Sequence, residues 1–173
     1  MMPEALFTTW FLEDGAQGIG EQTLVSRRLT AFFASRKCPG SAIRATMDWA
    51  VEQARKKTPL IGGFQSPLER SVLEIVLAAK SPVVIVLARA LDNARLPLPW
   101  HTALNEGCAV VVSMAPASQR LSEAIATKRN HWIASHTSRI VLGHVDSSGL
   151  LAGLVEQWRR DGKTLEVLPP CRS

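Results

Sequence analysis

The sequence predicts an α/β domain: a doubly wound, mostly parallel sheet of about six strands with helices on both faces. Three observations carry this. Short apolar, β-branched runs recur along the chain, and Val83 to Leu87 is unbroken, as in strands covered on both faces. Segments with helical apolar periodicity separate those runs. Glycine, serine and proline stand at the junctions, where strands must end and helices begin. Right-handed crossovers then leave few topologies.

The elements follow in order. Residues 1–28 are an N-terminal extension in which Ala5 to Leu12 offers an added edge strand. Its glycines at 15, 18 and 20 resemble a nucleotide loop. They follow no buried strand and precede no apolar helix, so they read as loop. Residues 29–173 form the domain proper. Leu29 to Ala34 is the first strand, and Ser35-Arg36-Lys37 follows it. Ile43 to Lys57 is a helix with Ile43, Met47, Ala50, Val51 and Ala54 as its inner face. Arg55, Lys56 and Lys57 suit the negative end of its dipole. Pro59-Leu60-Ile61 is a second strand, ending in Gly62-Gly63. Ser66-Pro67 opens the next helix, with Glu69 at the capping-box spacing and Leu68, Val72, Ile75, Val76 and Ala79 as its stripe. Val83 to Leu87 is the third strand. A short helix spans Trp100 to Asn105 and stops at Gly107. Ala109 to Val112 is the fourth strand, Arg120 to His136 a helix, and Arg139 to Leu142 the fifth strand. Leu150 to Arg160 is a helix stopped by Gly162, and Thr164 to Leu168 is the last strand.

The totals fit one domain of 173 residues, 46% of them hydrophobic. Cys38, Cys108 and Cys171 form no C-x-x-C pair and are odd in number, so they read as reduced thiols. No basic segment precedes an apolar run at the start, and no run approaches the ~18 residues of a membrane span. A cytoplasmic protein without membrane contact is the expectation. The net charge of +5 and pI near 9.6 permit a polyanionic partner without requiring one.

Open α/β sheets bind ligands beyond the carboxyl ends of their strands. Those ends carry Ser35-Arg36-Lys37, Gly62-Gly63-Phe64-Gln65-Ser66, Ala88-Arg89-Ala90-Leu91-Asp92, Ser113-Met114-Ala115-Pro116 and His144-Val145-Asp146-Ser147-Ser148-Gly149. Glycine lets backbone approach a ligand, and N–H groups at a helix start favour an anion. Gly62-Gly63 to Ser66 and Ser147-Ser148-Gly149 both stand where helices begin. Each alone reads better as a capped turn; the two on one rim, with two arginines, favour an anion site. Arg36 and Arg89 add charge-assisted donors for phosphate. Lys128-Arg129-Asn130 is the densest polar group, with Arg120 and Arg139 nearby in sequence.

Catalytic signatures are missing: there is no G-x-S-x-G, Walker loop or H-E-x-x-H. His101, His131, His136 and His144 are too scattered for a metal set. No metal or cofactor is expected. Glu69 and Asp92 are candidate acid–base groups, but a cap and a solvated carboxylate are the simpler roles. His131 and His144 are candidates for the cleft wall, and Trp132 falls in an apolar helical pattern that makes it core.

Ala34-Ser35-Arg36, Gly62-Gly63, Ala90-Leu91-Asp92, Ser113, Arg129-Asn130-His131 and Ser148-Gly149-Leu150-Leu151 occur in an order that resembles the Rossmann-like core of the DNA-processing family DprA, also called Smf. The resemblance runs from about Leu29 to Leu168, within the wider group that includes the lonely-guy phosphoribohydrolases. It implies a single-stranded DNA surface and a homodimer. By position it points to Ser35, Arg36, Gly62, Gly63, Ser66, Arg129, Asn130, Ser148 and Gly149. The strand-end reading adds Gln65, Arg89 and Lys128. The family's Ser-Gly-x-Ala-x-Gly-Ile-Asp is Gly62-Gly63-Phe64-Gln65-Ser66-Pro67-Leu68-Glu69 here, its following histidine is Leu73, and its Arg-Asn-Arg ends in His131. A stand-alone relative without the family's winged-helix domain is the expectation, and a recombinase partner is not expected to carry over with the resemblance. Asp146-Ser147-Ser148-Gly149-Leu150 lacks the adjacent glycine pair and the glutamate of the phosphoribohydrolase loop. The expected function is binding of single-stranded DNA or nucleotide phosphates at the rim. The alternatives are a nucleotide hydrolase and a small-nucleotide sensor.

Overall fold

The computed structural model describes residues 7–92, 94–115 and 122–169. Eight strands form one sheet: β1 (Thr9–Phe11), β2 (Gln17–Gly20), β3 (Thr30–Phe33), β4 (Leu60–Gly62), β5 (Val83–Leu87), β6 (Ala109–Ser113), β7 (Arg139–Leu142) and β8 (Leu165–Val167). The helices are α1 (Gly40–Lys56), α2 (Pro67–Ala78), α3 (Leu98–Asn105), α4 (Glu123–Ser135) and α5 (Leu150–Arg160). The sheet order is β1-β2-β6-β5-β4-β3-β7-β8. The six strands from β3 onward pair in parallel, and β1 and β2 add to the β6 edge antiparallel.

Residue alternation along the strands builds the two layers. Val83, Ile85 and Leu87 face one core with Phe32, Ala50, Ala54, Val72 and Leu104, under α1, α2 and α3. Val84 and Val86 face the other with Phe33, Trp132, Ile133, Val155 and Trp158, under α4 and α5. The sheet is therefore covered on both faces, which is why β5 and β6 are buried throughout.

Three expectations are corrected. Gln17–Gly20, read as loop, is strand β2. Its glycines serve close approach: a Cβ on Gly18 would lie 2.3 Å from the Trp10 ring, and one on Gly20 would lie 2.5 Å from the Ala109 carbonyl oxygen. Trp10 Nε1 donates to the Gly20 carbonyl at 2.9 Å and locks the hairpin. Thr9–Phe11, inside the predicted edge strand, is the edge; residues 5 and 6 lie outside the described residues. The inner face of α1 is also rotated. Ala42, Thr46, Ala50 and Ala54 are buried, whereas Ile43 and Val51 are exposed. The four-residue spacing of small side chains turns this stripe inward: Ala50 and Ala54 join the core around Phe32, and Thr46 lies beside Gly143, where a Cβ would fall 2.8 Å from its Oγ1. Finally, α3 begins two residues earlier than Trp100, at Leu98, and α4 begins at Glu123; Arg120, Pro116 and Cys171 lie outside the described residues.

The order defines where a crevice forms. From β3 the chain winds outward through β4 and β5 to β6, then returns over the other face to β7 beside β3. Connections leaving β3 and β7 go to opposite faces, α1 on one and α5 on the other. Their carboxyl ends part and leave a gap, the topological switch point.

Candidate functional site

A cleft of about 640 Å³ opens at that gap. The end of β3, the N-termini of α2 and α5, and the first turns of α4 enclose it. Of the residues singled out from sequence, Ser35, Arg36, Gln65, Ser66, Arg129, Asn130, Ser148 and Gly149 line it.

Ser35 stitches the two sides of the switch point. Its N–H donates to the His144 carbonyl at 2.9 Å, and its hydroxyl accepts from the Asp146 N–H at 2.8 Å. It is thus a structural rivet between the loops that follow β3 and β7. The Ser35 carbonyl in turn accepts from the Cys38 thiol at 3.0 Å.

The floor is built on Glu69. Ser66 caps α2, and Glu69 completes the predicted capping box. The carboxylate does more than cap. Oε2 accepts from the Ala34 N–H at 2.9 Å, and Oε1 accepts from the N–H groups of Gln65 at 3.0 Å and Ser66 at 3.4 Å. It therefore ties the end of β3 to the loop between β4 and α2. Burial raises its pKa, against the three N–H donors and the Arg129 charge, which lower it. The donors that make a glycine-serine loop an anion seat are here closed on the protein's own carboxylate.

Arg129 lies over this floor from α4. A Cβ on Gly63 would fall 2.7 Å from Arg129 Nε and 2.8 Å from its Cζ, so the guanidinium rests directly on the glycine backbone. Nε donates to Asn130 Oδ1 at 3.1 Å. Burial lowers the Arg129 pKa, and the Glu69 charge opposes that. The two side chains form no ion pair among the described residues. Among the described residues the outer nitrogens of the fork have no partner, which leaves them to an anion. Gly62 plays a different part. It ends β4 under the Phe64 ring, 3.1 Å from where its Cβ would be, and Phe64 itself adopts a positive φ of 51°. A bulky residue in that region stores strain, and burial of its ring holds it there.

On the opposite wall, Asp146 Oδ1 accepts from the Ser148 N–H at 3.1 Å and its hydroxyl at 3.0 Å. These bonds hold the Asp146 carboxyl below its ordinary range. Gly149 is the N-cap of α5, which has no side-chain cap. Its first N–H groups therefore lack the internal carboxylate that α2 has.

Other residues fall elsewhere. Arg89 is exposed beyond β5 and donates to the Arg95 carbonyl at 3.2 Å. Lys128 is exposed and borders a small hollow with Leu87 and Met114. Arg139 begins β7, at the opposite end of the sheet from the cleft, and pairs with Glu166 at 3.1 Å. Asp92 accepts from Gln17 Nε2 at 3.4 Å, away from the cleft. His131 is exposed and His144 is absent from the lining. Trp132 is buried, as expected of core, and its Nε1 donates to Asp14 Oδ2 at 2.7 Å. Sequence reasoning named Lys37 and Asp146 in the strand-end segments, and Leu150 and Leu151 in the resemblance motif, without giving them a binding role, and it passed over Glu123 and Leu154; all of them line the cleft. For Lys37 the signal was present, since it adjoins Arg36 in the same strand-end loop. Among the described residues, no group of three or more His, Cys, Asp or Glu is placed to hold a metal, and no helix is long and apolar enough to cross a membrane.

The match to solved structures covers almost the whole chain. DNA processing protein A from Helicobacter pylori superposes with a TM-score of 0.76 at 16% identity, over 99% of this chain and 84% of that one. The fold here is that of DNA processing protein A. The Streptococcus pneumoniae DprA structure agrees, with a TM-score of 0.75 at 12% identity, over 96% of this chain and 64% of that one. The chain thus spans about two thirds of the pneumococcal DprA. The molybdenum cofactor binding protein of Rippkaea orientalis shares the core more loosely, with a TM-score of 0.57 at 10% identity, over 82% of this chain and 76% of that one. No family model matches the sequence, and no curated protein does. The Helicobacter DprA binds single-stranded DNA.

Proposed function

We propose that the protein binds single-stranded nucleic acid, holding its phosphates in the switch-point cleft. The carrying observation is the seating of Arg129: its guanidinium is fixed on Gly63 and by Nε on Asn130, and its outer nitrogens have no partner among the described residues, inside a cleft that Arg36 and Lys37 also line. A preorganised, partly desolvated guanidinium is suited to a phosphate. The Glu69 charge beneath it is offset by three backbone donors. Support also comes from the fold shared with a DprA that binds single-stranded DNA. Titration of a labelled single-stranded oligonucleotide at two salt concentrations tests this. Binding should weaken steeply with salt as counterions are released. Affinity independent of salt, or no binding at low salt, would refute it.

A free nucleotide is the second reading, favoured by the cleft volume of about 640 Å³, which suits a small ligand. Competition by a nucleoside monophosphate at low concentration would select it. A hydrolase reading has less support, since both Glu69 oxygens are engaged by backbone donors. The homodimer remains part of the proposal. The short β8 strand leaves a sheet edge open, with Val167 exposed. A monomer in light scattering would remove it.

A further inference from the structure

The cleft lining joins two chemistries. Arg36, Lys37 and Arg129 supply cations, beside the carboxylates of Glu123 and Asp146. Leu150, Leu151 and Leu154 of α5, with Ala126 of α4, supply apolar surface. Leu150 is 69% exposed, while Leu151 and Leu154 are half-buried against the core and reach the cleft beside it, so the apolar surface there is a patch rather than one isolated side chain. The spacing of 150, 151 and 154 places the three leucines on one helix face. Charged phosphates have no use for such a surface, whereas a nucleobase has an apolar face.

Aromatic side chains are the usual platform for unpaired bases. Every phenylalanine and tryptophan of the chain lies among the described residues, and there is no tyrosine. Phe33 alone of them lines the cleft, and it is 2% exposed. No ring face is therefore presented to a ligand there.

We infer that the α5 leucines form a base subsite: an aliphatic wall against which an unpaired nucleobase packs while its phosphates meet Arg36, Lys37 and Arg129. This rests on the nucleic-acid reading above and adds the ligand's second half. A paired base has its faces covered by its neighbours in the stack, so the subsite selects single strands. Aliphatic contact lacks hydrogen-bonding information, so it discriminates little among bases.

The test compares oligothymidylate with an abasic strand of the same length and charge, at one salt concentration, for wild type and Leu150→Ser. Leu150 is exposed, so the variant should keep the wild-type melting temperature, which is measured alongside. Wild type should bind oligothymidylate about tenfold more tightly than the abasic strand, equivalent to ~1.4 kcal/mol. Leu150→Ser should shrink that ratio severalfold, leaving abasic binding and its salt dependence unchanged. Equal binding of both strands by wild type would overturn the base subsite while leaving phosphate binding intact. A Leu150→Ser variant that weakens both strands equally would overturn it too. Failure of both strands to bind at low salt would remove the nucleic-acid reading itself, and the subsite with it.

Discussion

The loops at Gly62–Ser66 and Asp146–Gly149 have similar compositions and stand at equivalent places, between a strand and the N-terminus of a helix. They end in different states. In the first, the N–H groups of Gln65 and Ser66 are closed on Glu69. In the second, Asp146 holds the Ser148 N–H and hydroxyl, but α5 starts at Gly149 without a side-chain cap and its first turn meets no carboxylate of its own. The difference lies three residues past each N-cap, where α2 has Glu69 and α5 has Ala152. A glycine-serine loop before a helix is an anion seat. Whether the anion is internal or comes from outside depends on that third helical residue. The first loop is therefore floor, and the second is mouth.

This contrast can be broken in graded steps. The largest effect is expected from Glu69→Ala, which orphans the N–H groups of Ala34, Gln65 and Ser66 and removes the capping box. A loss of about 3 kcal/mol in chemical denaturation is expected. If stability were unaltered, Glu69 would not be holding the floor. The same residue gives a pH signature. Burial raises its pKa above the ordinary 4.5, so the folded chain keeps that proton more tightly than the unfolded chain. Its contribution to stability must then decline as pH rises from 4.5 through the raised value. Denaturation midpoints measured over that range should lose this component in Glu69→Gln.

Arg129→Ala comes next. It should weaken single-strand binding roughly tenfold and lower the salt slope by about one, read by titration at several salt concentrations. Gly63→Ala should do part of the same without changing any charge. Gly63 is absent from the positive-φ glycines, so alanine fits its backbone, but the added methyl pushes the Arg129 guanidinium off its seat. A severalfold loss of affinity with the salt slope retained is the expected result. Wild-type binding by Gly63→Ala would show that the seat does not matter. The smallest effect should come from Ala152→Glu, which gives α5 the internal anion of α2. It should reduce binding about twofold to threefold, since a surface charge at a helix N-terminus amounts to ~0.3–1 kcal/mol. An unchanged affinity would separate α5 from the ligand.

Much of this was legible in the chain. The apolar β5 and β6 runs, the Ser66-Pro67 start and the Glu69 capping spacing were local patterns, and local patterns translate directly into elements. Arg129 and Asn130 were singled out by composition and do line the cleft, while the equally basic Lys128, one residue earlier, points elsewhere. Helical periodicity explains why neighbours diverge, but not which of them faces the gap.

The sequence by itself determined a two-faced parallel sheet, because alternating apolar runs and capped helices encode local structure through periods of two and 3.6 residues. Only the tertiary structure decided that β7 lies beside β3, that Glu69 reaches Ala34 across 35 residues, that Gly63 carries Arg129, and that the α5 leucines face the same cleft. These are contacts between distant segments. They depend on the order in which strands pair, and no local pattern records that order.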